Sequence, residues 1–135
     1  MRSLLVSAAI AVSMAGCATQ QVPLSAAEPV PASRIYAADL VSATPNATFV
    51  RDSGFAGTLC TYDLYVGSTK VFSIRPGEKI GLKLPLGSHI MRVESPPTSC
   101  LTGVQYLTGV FTAGDSQVFR MYIDDNMVRQ FSRVE

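Results

Sequence analysis

The amino-acid sequence predicts an all-β domain, an antiparallel β-sandwich or alternatively a small barrel, of seven to eight short strands. Three observations carry that expectation. Apolar and polar residues alternate in segment after segment between Arg34 and Val134, as strands with one buried face require. Turn signals built on Gly, Pro, Asn and Asp recur roughly every 8 to 12 residues, the spacing of a sandwich. No stretch of this region sustains the period of 3.6 residues that an amphipathic helix needs.

Arg34-Ile-Tyr-Ala-Ala-Asp-Leu40 is the first candidate strand, and Asn46 to Val50 is a shorter second. In Leu59 to Val66, LCTYDLYV, one face takes Tyr62, Leu64 and Val66 and the other takes Thr61, Asp63 and Tyr65. Gly67-Ser68 makes a hairpin turn, and Lys70 to Ile74 returns. Pro76-Gly77 is a turn in which Pro pre-sets φ and Gly accepts a positive one. Lys79 to Leu84 then places Ile80, Leu82 and Leu84 on one side. After Leu86-Gly87, the strand His89 to Glu94 sets His89, Met91 and Val93 against Ile90, Arg92 and Glu94. Pro96-Pro97 interrupts both helix and central strand. Val104 to Thr112, Gln117 to Ile123 and Met127 to Val134 complete the set, joined by turns at Gly114-Asp115 and Asp124-Asp125-Asn126.

Ahead of these strands lies a different composition. Met1 and Arg2 give a positive start, and Leu4 to Ala15 is apolar or small apart from Ser7 and Ser13. About 20 residues are needed to cross a bilayer, so this run fits the apolar region of a secretory signal peptide. Cleavage after Ala18 would discard Cys17; cleavage before Cys17 would make it the first mature residue. Met14-Ala15-Gly16-Cys17 resembles the lipobox of bacterial lipoproteins, with Met14 where Leu is usual. That resemblance implies residues 1–16 as leader, Cys17 as the lipid-attachment site for acyl chains such as palmitate, and a membrane as the first partner. Two or three chains anchor firmly where one does not. Ala18 in place of Asp implies the periplasmic face of the outer membrane, the inner membrane being the alternative. Residues 17–33, with Pro23, Pro29 and Pro31 among alanines and glutamines, read as the lipidated end and a flexible linker. The sandwich is expected over 34–135.

The central pattern RIYAADL, RDSGFAGTLCTYDLYVG and PGEKIGLKLPLGSHIMRVE resembles a group of small bacterial lipoprotein domains related to PEGA-like surface modules. The resemblance covers Arg34 to Glu94 and implies an all-β envelope module. The group carries no established activity, so it transfers no catalytic residue.

Lys and Arg number 11 against 10 Asp and Glu, and Arg2 lies in the leader. No basic surface for nucleic acid is indicated, since such binding needs clustered cations at phosphates. With Cys17 lipidated, Cys60 and Cys100 are the remaining thiols of an exported chain, where disulfides persist. A bridge would close a loop of about 40 residues and stabilise by roughly 4 kcal/mol; two buried free cysteines are the alternative.

One histidine, His89, gives triads and histidine-rich metal sites little to work with, so neither a catalytic residue, a metal ligand set nor a cofactor is expected. Paired carboxylates could serve glycoside hydrolysis, with Asp52, Asp63, Glu78 and Glu94 as candidates. Asp124-Asp125-Asn126 lacks the alternating ligands and terminal Glu of an EF-hand loop and reads as a turn. Asp52, Ser53 and Gly54 form the candidate recognition loop, unless they only close an Asx-turn. Tyr65, on the polar face of its strand, is a candidate contact residue. The expected function is that of a non-enzymatic accessory or binding protein of the envelope with a protein partner. The alternatives are a glycan- or small-ligand-binding module, an inhibitor of an envelope hydrolase, and, less favoured, a hydrolase using paired acids.

Overall fold

The computed structural model describes residues 18–54, 60–96 and 103–135. Among these described residues nine strands form two sheets: β1 (Glu28–Pro29), β2 (Ala47–Arg51), β3 (Tyr62–Val66), β4 (Thr69–Ile74), β5 (Glu78–Leu82), β6 (Gly87–Glu94), β7 (Val104–Phe111), β8 (Gln117–Ile123) and β9 (Arg129–Arg133). One sheet runs β1-β5-β2-β8-β9 and the other β4-β3-β6-β7. The arrangement is a sandwich, as two separate sheets require.

Besides the nine strands where seven to eight were expected, two details of the strands differ from the sequence-based expectation. The five-stranded sheet is mixed rather than antiparallel: β2 lies parallel to β8, with Phe49 opposite Phe119, and β1 lies parallel to β5. Hydrophobic alternation fixes which face a residue takes but not the direction of its neighbour. In addition, Arg34 to Leu40 is not a strand. Two 3-10 turns, Ala32–Arg34 and Ala38–Leu40, flank a single bridge from Ile35 to Phe72. The alternation in this segment serves docking against β4 instead of a ladder of its own.

The core lies between the sheets. Phe49 of β2 stacks on Phe119 of β8 at 5.1 Å and meets Phe72 of β4 edge-on at 5.4 Å, tying one sheet to the other. Leu64, Ile74, Leu82, Met91 and Val93 are fully buried around them. Each such side chain contributes about 1.5 to 3 kcal/mol on burial. Glycine is required at Gly81, where a Cβ would stand 2.9 Å from the Pro45 ring.

The stretch expected as a flexible linker is docked in its described part, 18–33. Thr19 exchanges bonds with Ile123, its amide and hydroxyl both donating to that carbonyl and its Oγ1 accepting from the Ile123 amide. Gln20 bridges Ser53, and Glu28 and Pro29 pair with Glu78 and Lys79. Ala27 and Val30 are buried. Prolines spoil a central strand, but they suit a segment laid along a sheet edge.

Candidate contact surface

Asp52, Ser53 and Gly54 are not a free recognition loop. Asp52 is 5% exposed, and its Oδ1 accepts from the Val22 amide at 3.0 Å and from the Arg120 guanidinium. Ser53 and Gln20 exchange main-chain bonds at 2.6 and 3.2 Å. Gly54 has φ +154°, and a Cβ there would lie 3.0 Å from Thr19 Cα. The triplet holds residues 19–22 in place. The Asx-turn reading is also superseded, because the Asp52 carboxylate bonds a distant segment and β8.

The other candidate carboxylates are likewise tied to cations. Asp63 accepts from Ser73 Oγ and faces Lys70 Nζ at 3.0 Å. Burial is the largest influence on the Lys70 charge and works against it, but the hydrogen bond and charge of Asp63, with Tyr36 and Tyr65 nearby, together outweigh it and leave the ammonium above its ordinary value. Arg34 clamps Glu78 with both terminal nitrogens, and that bond raises the guanidinium although burial opposes it. Glu94 pairs with Arg92 at 3.4 Å. Asp63 and Glu94 are opposite in register on β3 and β6 and line a cleft of about 420 Å³ with Tyr65 and Val104. Burial and the nearby Glu94 raise the Tyr65 hydroxyl above the usual phenol value.

Cys60 is 1% exposed in the core, and its carbonyl accepts from Arg51. Beside it Tyr62 lies between two guanidinium groups, Arg51 at 3.6 Å and Arg129 at 5.0 Å from the ring centroid. Burial pushes Arg51 down to about 10 and lowers Arg129 as well. Cys17 and Cys100 lie outside the described residues. His89 bonds the Pro85 carbonyl through Nε2 at 2.7 Å and tilts against Phe111. Asp124 receives the Asn126 and Val128 amides at 2.9 and 3.0 Å and the Gln130 amide group at 2.9 Å, which makes it a turn residue. Among the described residues no group of three His, Cys, Asp or Glu side chains is placed to hold a metal, and no helix is long and apolar enough to cross a membrane.

Two surfaces stand out. A groove of about 440 Å³ runs over β5 and β2, walled by Leu24, Val30, Ile35, Val41 and Pro45 with Lys79 at its side. Its cation donates to the Leu24 carbonyl, so the groove is a seam left by the docked N-terminal segment. The second surface is the outer face of β6 and β7. Register puts Ser88, Ile90, Arg92 and Glu94 opposite Val110, Thr108, Tyr106 and Val104. Of these, Ile90 is 58%, Tyr106 66%, Val110 57% and Val104 47% exposed. Ile90 sits diagonally between Tyr106 and Val110, within reach across the strand pair. Arg92 completes the row, its guanidinium 4.2 Å from the Tyr65 ring.

Tyr65 lies beside Arg92 at the margin of this exposed face, and Ile90, Val104, Tyr106 and Val110, which make up the face, are not among the candidates read from the sequence. Their signal was present: Ile90 falls on the face of Arg92 and Glu94, opposite buried Met91 and Val93. Single exposed apolar residues are ordinary, and it is their gathering on one face that makes a patch. No family model matches this chain, and neither a curated protein nor a solved structure matches it. The architecture and surface define its class as a two-sheet, all-β domain with an exposed apolar face on one sheet.

Proposed function

We propose that this chain is a lipid-anchored protein of the bacterial cell envelope that acts by binding, with the outer face of β6 and β7 as its contact surface. The observation that carries the binding reading is that face, where Ile90, Tyr106, Val104 and Val110 lie together in water. Large apolar side chains collected on one sheet mark protein contacts. Support against a paired-acid hydrolase comes from the carboxylates, since Asp52, Asp63, Glu78 and Glu94 each face a cation or a hydroxyl rather than one another alone. The anchor rests on Met14-Ala15-Gly16-Cys17 and the leader before it, and the outer-membrane address rests on Ala18. Membership of the PEGA-like lipoprotein group belongs to the same proposal.

So does the pairing of Cys60 with Cys100. What supports the pairing is the place of Cys60, which is buried at 1% exposure. It stands just before β3, at the end where Asp63 pairs with Glu94 and Glu94 with Val104, and Cys100 falls between Glu94 and Val104 in the sequence. The oxidised chain should run faster than the reduced chain in non-reducing electrophoresis, and equal mobility would remove the bridge.

A photo-crosslinking residue at Ile90, with a control at exposed Lys83 just past the end of β5, tests the contact surface in intact cells. An adduct with an envelope protein at position 90 and none at 83 is expected. No adduct at 90, or equal labelling at both, overturns the reading. Cys17→Ser tests the anchor separately: the chain should leave the membrane fraction and lose acyl mass, and unchanged partition defeats it.

A further inference from the structure

The outer edge of β7 carries a second inference, independent of the anchor and argued from main-chain groups rather than from the side chains of the exposed face. The Ile90 carbonyl accepts from the Gly67 amide at 2.9 Å, so the main chain of Ile90 points toward β3. Its register partner in β7 is Thr108. In an antiparallel ladder, main-chain groups point alternately to one side and the other. The amides and carbonyls of Val104, Tyr106, Thr108 and Val110 therefore point away from β6. β7 ends its sheet, so these groups form an open row.

Both ends of that row are closed from within the molecule. Gln117 Nε2 donates to the Val110 carbonyl at 2.8 Å, and Arg129 donates to the Gly103 carbonyl just before β7. Among the described residues nothing outside the ladder bonds the outward main chain of Tyr106 or Thr108. The open portion is thus centred on Leu107. Val104 to Phe111, VQYLTGVF, also contains no charged residue, and native edges are normally protected by charge, Pro or cover.

We propose that this edge pairs with the same edge of a second copy of the chain, antiparallel about a two-fold axis at Leu107, joining two four-stranded sheets into one. The argument for a second copy is that the strand is its own complement. With the axis at Leu107, Tyr106 lies opposite the second copy's Thr108, and Val104 opposite its Val110. The outward amides and carbonyls of Tyr106 and Thr108 then meet those of the second copy's Thr108 and Tyr106, Val104 faces Val110, and no charge meets its like, which isologous pairing demands. A strand carrying even one ionised residue at the centre would repel its own image.

Sedimentation of the full purified chain in density-matched detergent tests this. The chain should have twice its monomer mass, falling to the monomer mass in Thr108→Pro. The Thr108 amide points away from β6, so Pro there removes an edge donor while sparing the internal ladder. If Thr108→Pro fails to fold, Tyr106→Lys decides, because it places two cations beside the axis on an exposed face. A wild-type monomer at all micromolar concentrations, or a dimer that survives the folded variants, overturns the proposal. So does a one-to-one complex with a different protein at this edge.

Discussion

The two edges of the four-stranded sheet end in opposite ways. At β4 the chain guards its own edge: the Tyr36 and Ala37 amides donate to the Val71 carbonyl at 2.8 and 3.2 Å, and Arg34 donates to the Ser73 carbonyl at 3.0 Å. At β7 the central groups meet no such cover among the described residues. The strands themselves do not explain the difference, since both are rich in β-branched and aromatic residues. Among the described residues, what differs is that residues 34–37 lie along β4 and none lies along the centre of β7. The β5 edge is treated like β4, with β1 laid parallel to it, while β9 is short and bears Arg129 and Arg133. Three edges are covered or charged, and β7 is left as the place where another strand fits.

If cover is what separates these edges, breaking the bonds that hold it should cost most. Asp52 and Arg120 are 6% and 9% exposed in their side chains, and removing one member leaves a buried charge uncompensated. Asp52→Ala should destabilise the fold by about 3 to 5 kcal/mol, measured by urea unfolding. Hydrogen exchange at the Val22 and Gln20 amides should accelerate more than exchange in β6. A loss below about 1 kcal/mol, the size of an exposed ion pair, would mean that residues 18–30 are held by other means.

Arg34→Ala strikes the β4 cover directly. It removes the Glu78 clamp and the donor to Ser73, and bonds to charged groups contribute about 1.5 to 3 kcal/mol each. Because Arg34 and Glu78 are 16% and 14% exposed, the net loss should be near 2 kcal/mol, discounted for partial solvation. The comparison predicts more than lost stability: with β4 opened, light scattering should show chains associating beyond a dimer. Association unchanged from wild type would mean that β4 is not kept monomeric by this segment.

These covers explain which parts of the molecule were legible in the sequence. β3, β4, β6 and β8 were readable because Tyr62, Leu64, Phe72, Met91, Val93, Phe119 and Met121 carry the period of two into a core that buries all of them. Arg34 to Leu40 carried similar alternation, yet its fate was decided by Glu78 and Val71, each more than 30 positions away in the chain. The linker reading of 18–33 failed for the same reason: composition marked the segment as unable to fold alone, and it does not fold alone. Its anchor joins Asp52 to Arg120, 68 residues apart. Local pattern reports faces; long-range polar bonds choose neighbours, and no spacing rule announces them.

The smallest effect concerns the β8–β9 turn and sets β9 apart from the covered edges. Asp124 accepts the Val128 amide first of all, then Gln130 and Asn126, and these bonds hold its carboxyl below the ordinary carboxylate value. A carboxyl that titrates lower in the fold than in the unfolded chain stabilises fully above the unfolded value, and that contribution fades as the pH falls through the folded one. On acidification, exchange at the Asn126 and Val128 amides should therefore rise before exchange in β3, while β2 and β5 keep their protection. In Asp124→Asn this early acid step should vanish, because the amide oxygen accepts the same two bonds without titrating. If β9 loosened at the same pH in both proteins, its edge would be held by Arg129 and the Gln105 bond to the Arg129 carbonyl rather than by its turn.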